Sequence, residues 1–161
     1  MLNFWVPMNY RYPKHQIAEI ISSKKCLSDG HSVAPERKGE HGAKFDASLD
    51  LIDGPVFCPI RYIGKAGHLA EPPSYDATFL LDDMRVRGIG HCAVARQNFR
   101  AKLRIPAGWH QNICDPNVPT DHPEWNRHES LTDFAPTDFQ DFVSKVADLW
   151  RIDLNWEGKL L

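Results

Sequence analysis

The segment IPAGWHQNICDPNVPTDHPEWNRHE, Ile105 to Glu129, gathers three histidines, a cysteine, an arginine, two tryptophans and four prolines. Its prolines predict a stiff connection rather than a helix or strand, since each removes a backbone donor and fixes φ. Imidazole titrates near neutrality, so two of these histidines can accept and donate a proton in a metal-independent cleavage of RNA by its own 2′-hydroxyl. His110 and His128 are the candidate pair, and Glu129 is the carboxylate expected to orient or tune an imidazole. Cations would stabilise the charge that builds on the phosphorane. Arg85, Arg87, Lys102, Arg104 and Arg127 are the candidates for that task, arginine above all because its fork matches two phosphate oxygens.

A second chemistry competes for the same side chains. His110, Cys114, His122 and His128 read H-x3-C-x7-H-x5-H, and zinc accepts imidazole and thiolate in a tetrahedral shell. The front half lacks the close cysteine pair that makes zinc motifs specific. No cofactor is therefore expected, and the four-residue set stands as the metal alternative. A purely structural reading also exists, in which Trp109 and Trp125 pin an ordered loop onto the core and the histidines idle in solvent. Cys92 and Cys114 sit in no local cysteine-protease signature. Gly88 to Gly90 lie inside a strand pattern, which excludes a dinucleotide fingerprint.

The elements that must hold this segment come from a chain of 161 residues, enough for one domain with a single core. The start MLNFWVPMNYRYP lacks a basic region followed by an apolar one. No apolar run is long enough to span a membrane. The four cysteines form no CxxC and are expected as reduced thiols in a cytoplasmic protein. Net charge is −2, but residues 56–104 carry +4 and residues 105–161 carry −6. That asymmetry predicts a basic surface in the middle of the chain.

The periodicities predict an α+β fold. Ile17, Ile20 and Ile21 mark a short N-terminal helix that Pro13 can start. Residues 27–44 lack periodicity and read as a loop, mobile or functional. Alternation from Phe45 onward predicts a five-stranded, mainly antiparallel sheet, its strands at FDASLDLID, VFCPIRYIG, YDATFLLDD, MRVRGIGH and FRAKLRI. With Asp82-Asp83 as a turn, Leu81 faces Met84 and Phe79 faces Val86. A hairpin around CAVARQ then sets Arg87 against Lys102 and Arg85 against Arg104, a face of like charges. Such pairs are unfavourable unless an anion such as phosphate compensates them. A solvated outer face with acidic neighbours is the plainer alternative. The C-terminal helix is expected to pack on one sheet face through Phe139, Phe142, Val143, Val146, Leu149 and Trp150, with Thr137 as N-cap and Gln140 completing a capping box.

YDATFLLDDMRVRGIGH, GWHQN, NRHE and FQDFVSKVADLWRIDL occur in that order within residues 74–154. This order resembles the TumE-like toxins, small prokaryotic toxin–antitoxin proteins. The resemblance implies a host-defence or mobile-element context, a protein partner of toxin–antitoxin type, and His110 and His128 as the residues to test; the histidines and cations themselves point to RNA or a nucleotide as the ligand. Two classes of function follow: a histidine-dependent RNA-cleaving enzyme, or a non-catalytic binding protein, inhibitor or complex subunit using the same basic face.

Overall fold

The structure, a computed structural model, describes residues 13–38, 42–54, 58–67, 74–98, 103–115, 118–119, 121–122 and 124–155. The chain opens with α1 (Lys14–Ser22), β1 (Lys25–Leu27), β2 (Glu36–Lys38), β3 (Gly42–Leu51) and β4 (Ile60–Ala66). It continues through β5 (Tyr75–Leu81), β6 (Met84–Cys92), β7 (Arg96–Asn98), β8 (Leu103–Ile105) and β9 (Gly108–Cys114). β10 (Asn126–Ser130), α2 (Phe139–Leu149) and β11 (Ile152–Asp153) complete it. The class is α+β, with nine strands in one mixed sheet ordered β10-β9-β6-β5-β4-β3-β1-β11 and β2 also paired to β3. Only β1 and β11 run parallel; every other described pairing in that sheet is antiparallel.

Both helices lie on one face. Alternate residues of β3 to β6, among them Phe45, Tyr62, Phe79 and Ile89, share a buried cluster with Ile17 and Ile20 of α1 and with Phe142, Val143 and Val146 of α2. Each fully buried large side chain contributes about 1.5–3 kcal/mol, more than a typical surface ion pair, so this packing dictates which side of every strand faces inward. Tyr62 donates its hydroxyl to the Val143 carbonyl at 2.9 Å. Trp150 stacks edge-on against Tyr62 and Phe79, both at 5.7 Å, and donates its indole N–H to Gln111 Oε1 at 3.2 Å. α2 is thereby tied to β9.

Lys25 is a core residue that no pattern announced. It is fully buried, and its ammonium donates to the carbonyls of Ile20 (2.9 Å), Ile21 (2.8 Å) and Ser23. Burial draws its pKa down to about 7. Against that, three carbonyls at the negative end of α1 and the Phe79 ring at 5.5 Å favour the charged form.

The structure alters several expectations. Five strands become nine, because β1, β2, β9, β10 and β11 join β3 to β6 in the sheet while the fifth expected strand does not. Residues 27–44 contain β2 and the first part of β3, with His31 Nδ1 accepting the Ser48 N–H at 3.1 Å. The turn at Asp82 and Asp83 has both residues at positive φ (51° and 64°), as a type I′ hairpin requires. Leu81 opposes Met84 as expected, but Phe79 opposes Arg87 and Leu80 opposes Arg85, leaving Val86 as a bulge residue. The neighbour of β6 is β9, not FRAKLRI, whose described part, β8, makes a separate hairpin with β7. That choice packs the partly buried Trp109 against Tyr75, Phe134 and Phe142, a large apolar gain. Residues 99–102 of the expected fifth strand lie outside the described residues. α2 begins one residue later than its cap was placed: Asp138 is the N-cap, accepting the Asp141 N–H at 2.7 Å, and Asp141 accepts the Thr137 N–H at 2.9 Å.

Candidate active site

Residues 108–114, the opening of what reads as a connection, form an internal strand. The four prolines of Ile105 to Glu129 sit outside β9 and β10, so the seven residues between Pro106 and Pro116 that pair are free of them. Trp109, Gln111 and Ile113 turn toward the helices, which sends His110, Asn112 and Cys114 to the outer face. In β10 the register sets Ser130 opposite His110, His128 opposite Asn112 and Asn126 opposite Cys114. The same parity sends Arg127 and Glu129 to the helix side of this edge.

His110 and His128 therefore meet on one surface, their ring centroids 5.4 Å apart. His110 is only 8% exposed and Asn112 only 6%, although they lie on the face away from both helices. β8 lies against β10 at this end of the sheet. Gly108, held at φ 87°, presents its carbonyl to His110 Nδ1 at 3.3 Å. A carbonyl only accepts, so Nδ1 carries the proton and the lone pair of the neutral ring lies on Nε2. His128 Nδ1 is buried and has no hydrogen-bond partner among the described residues.

Burial holds the His110 imidazole below its usual range; the Gly108 carbonyl and Asp76 oppose that shift, while His91 and Arg85 add to it. Burial likewise lowers His128, with His110 and Arg85 as further causes. A shared proton is thus the natural charged state of the pair, since two adjacent cations repel. The carboxylate acting on His110 is Asp76 on β5. Glu129 instead holds Arg127, with Nε to Oε1 at 3.2 Å.

Two glycines make the floor beside the histidines. Gly88 opposes Thr78 on β5 and Asn112 on β9, and Gly90 opposes His110. The Arg85 guanidinium lies over Gly88, where a Cβ would come within 2.3 Å of Nη2. A Cβ on Gly90 would meet His110 Nε2 and Cε1 at 3.9 Å, ordinary contact, so the space above Gly90 faces the imidazole edge.

Among the described residues the expected cations do not share one face. Arg85 is on the outer face. The bulge carries Arg87 to the helix side, where it lines a small cleft with Lys14, Ile17 and Arg127. Arg104 is on β8 opposite Gln97, and Lys102 lies outside the described residues. The metal alternative is not gathered either. His122 is exposed in a turn and accepts the Glu124 N–H at 3.1 Å. Among the described residues no group of three or more His, Cys, Asp or Glu could hold a metal ion. Burial pushes the Cys114 thiol up, leaving it protonated at neutral pH and a poor nucleophile.

Asn112, Asp76, Gly88 and Gly90 were not legible as site residues. The available signal was the alternation of Trp109, Gln111 and Ile113 against His110, Asn112 and Cys114. Comparison of the chain with protein-family models, with curated proteins and with solved structures returns no match.

Proposed function

We propose that the protein is a metal-independent RNA-cleaving enzyme in which His110 and His128 are the acid–base pair. The supporting observation is the convergence of a buried and a part-buried imidazole 5.4 Å apart, from residues eighteen positions apart on paired strands, beside the Arg85 guanidinium over Gly88. His110 Nε2 removes the proton of a ribose 2′-hydroxyl. The 2′-oxygen bonds to phosphorus as the bond from phosphorus to the 5′-oxygen breaks, and protonated His128 gives its proton to that leaving oxygen. Arg85 and the Asn112 amide face the phosphate. The products are a 2′,3′-cyclic phosphate and a 5′-hydroxyl. The likeness of residues 74–154 to TumE-like toxins adds the biological setting: a cytoplasmic toxin with an antitoxin partner. No described helix is long and apolar enough to cross a membrane.

The test is cleavage of a mixed RNA with and without EDTA. Cleavage is expected to survive the chelator, to leave cyclic-phosphate ends, to spare DNA, and to fall by about 10²–10⁴-fold in His110→Ala and in His128→Ala. Intact RNA in every lane would transfer the reading to the non-catalytic binding protein.

A further inference from the structure

Resting on that acid–base reading, the geometry points to Gly90 as the residue that determines which nucleophile the site accepts. Three features converge there. The His110 ring is held by the Gly108 carbonyl with Nε2 as its free lone pair. The surface that this edge faces is the bare Cα of Gly90, directly opposite it in the β6–β9 register. His110 is more than nine-tenths buried, and its Nε2 and Cε1 edge borders the space over Gly90. A ligand hydroxyl seated over Gly90 is placed to donate to that lone pair.

The neighbouring row completes the placement. Two residues along β6, about 7 Å away, Gly88 carries the Arg85 guanidinium above it and stands in register with Asn112 and then His128. A ribose 2′-hydroxyl over Gly90 therefore lies beside the base, while its 3′-phosphate reaches the row that holds the cation and the acid. Asp76 and Thr78 on β5 flank the two glycines on the other side of β6. The ligand class is a ribonucleotide 3′-phosphoryl group with its 2′-hydroxyl free. Gly90 is thus a specificity-determining residue, and the Cβ of any other residue, 3.9 Å from Nε2, would crowd the hydroxyl.

Gly90 does not need a positive φ, and its added Cβ meets the histidine ring only at contact distance, so Gly90→Ala is expected to fold with an unchanged melting temperature. On a dinucleotide substrate its kcat is expected to fall by about 10²-fold, as for other small displacements of a reacting group. Uridine 3′-monophosphate should shift the imidazole Cε1–H resonances of both His110 and His128 in the wild-type protein, but only that of His128 in the variant. Wild-type cleavage in Gly90→Ala, with the His110 resonance still moving, overturns the assignment while leaving the acid–base reading intact. If the wild-type protein neither cuts RNA nor shows shifts at either histidine, the acid–base reading itself fails. A nuclear Overhauser contact between the Gly90 α-protons and the bound ribose tests the assignment without any variant; its absence in a saturated complex also overturns it.

Discussion

His110 and His128 carry the reading, and their protonation is its most exposed consequence. Burial lowers both pKa values from the ordinary imidazole value of 6.5, and in His128 the neighbouring His110 adds to the shift. The productive form has His110 neutral and His128 charged, one proton on the pair. That form is most populated between two apparent values, both below 6.5, so kcat/KM is expected to peak on the acid side of 6.5 and to decline toward neutral pH. The same groups act on stability with a definite sign. The unfolded chain takes up protons near 6.5, before the folded chain does, so their contribution is complete above 6.5 and is lost as pH falls through the folded values. Rate and urea-unfolding profiles measured over pH 4–9 check both halves together. A rate optimum above pH 7 would be incompatible with this pair acting as base and acid.

β9 is the element on which the site depends, and its two faces are fixed by different means. Trp109 and Gln111 anchor it to α2, and Gln111 does so through a single indole hydrogen bond from Trp150. Trp150→Phe removes that donor and opens space between Tyr62 and Phe79. The expected loss is about 2 kcal/mol, read as a lower urea midpoint, and an unchanged midpoint would show that α2 is seated without it. The period-two and helical patterns made β3 to β6 and α2 legible, because one face of each is buried and the sequence shows it. β9 was hidden by its prolines: Pro106, Pro116, Pro119 and Pro123 dominate the composition of the segment but lie outside its strands. The reading along the chain singled out His110 and His128, and the structure brings these two rings to one surface. The carboxylate partner was misjudged, because adjacency in sequence placed Glu129 beside His128 while strand parity turns it to the opposite face. Asp76, thirty-four residues before His110, enters only through the pairing of β5 with β6 and of β6 with β9.

The distribution of charge over the molecule decides how such a site would bind RNA. A patch of four or five cations on one surface would give a steep dependence of affinity on salt, since each neutralised phosphate of a single strand adds about −0.7 to the slope of log K against log salt. The bulge at Val86 separates two neighbouring arginines, sending Arg85 to the histidine face and Arg87 to the side of α1. Arg127 is drawn to Glu129 on that same helix side. Binding through the histidine face therefore predicts a shallow slope in which Arg85 is a distinct contributor. With a fluorescent single-stranded RNA and the His110→Ala background to prevent cleavage, Arg85→Ala is expected to flatten the slope by about 0.7, whereas Arg87→Ala should leave it unchanged. Equal effects from the two substitutions would mean that the RNA spans the edge of the sheet and touches both faces, which is the geometry of a binding protein wrapped by its ligand rather than of a cleft holding one phosphodiester against two imidazoles.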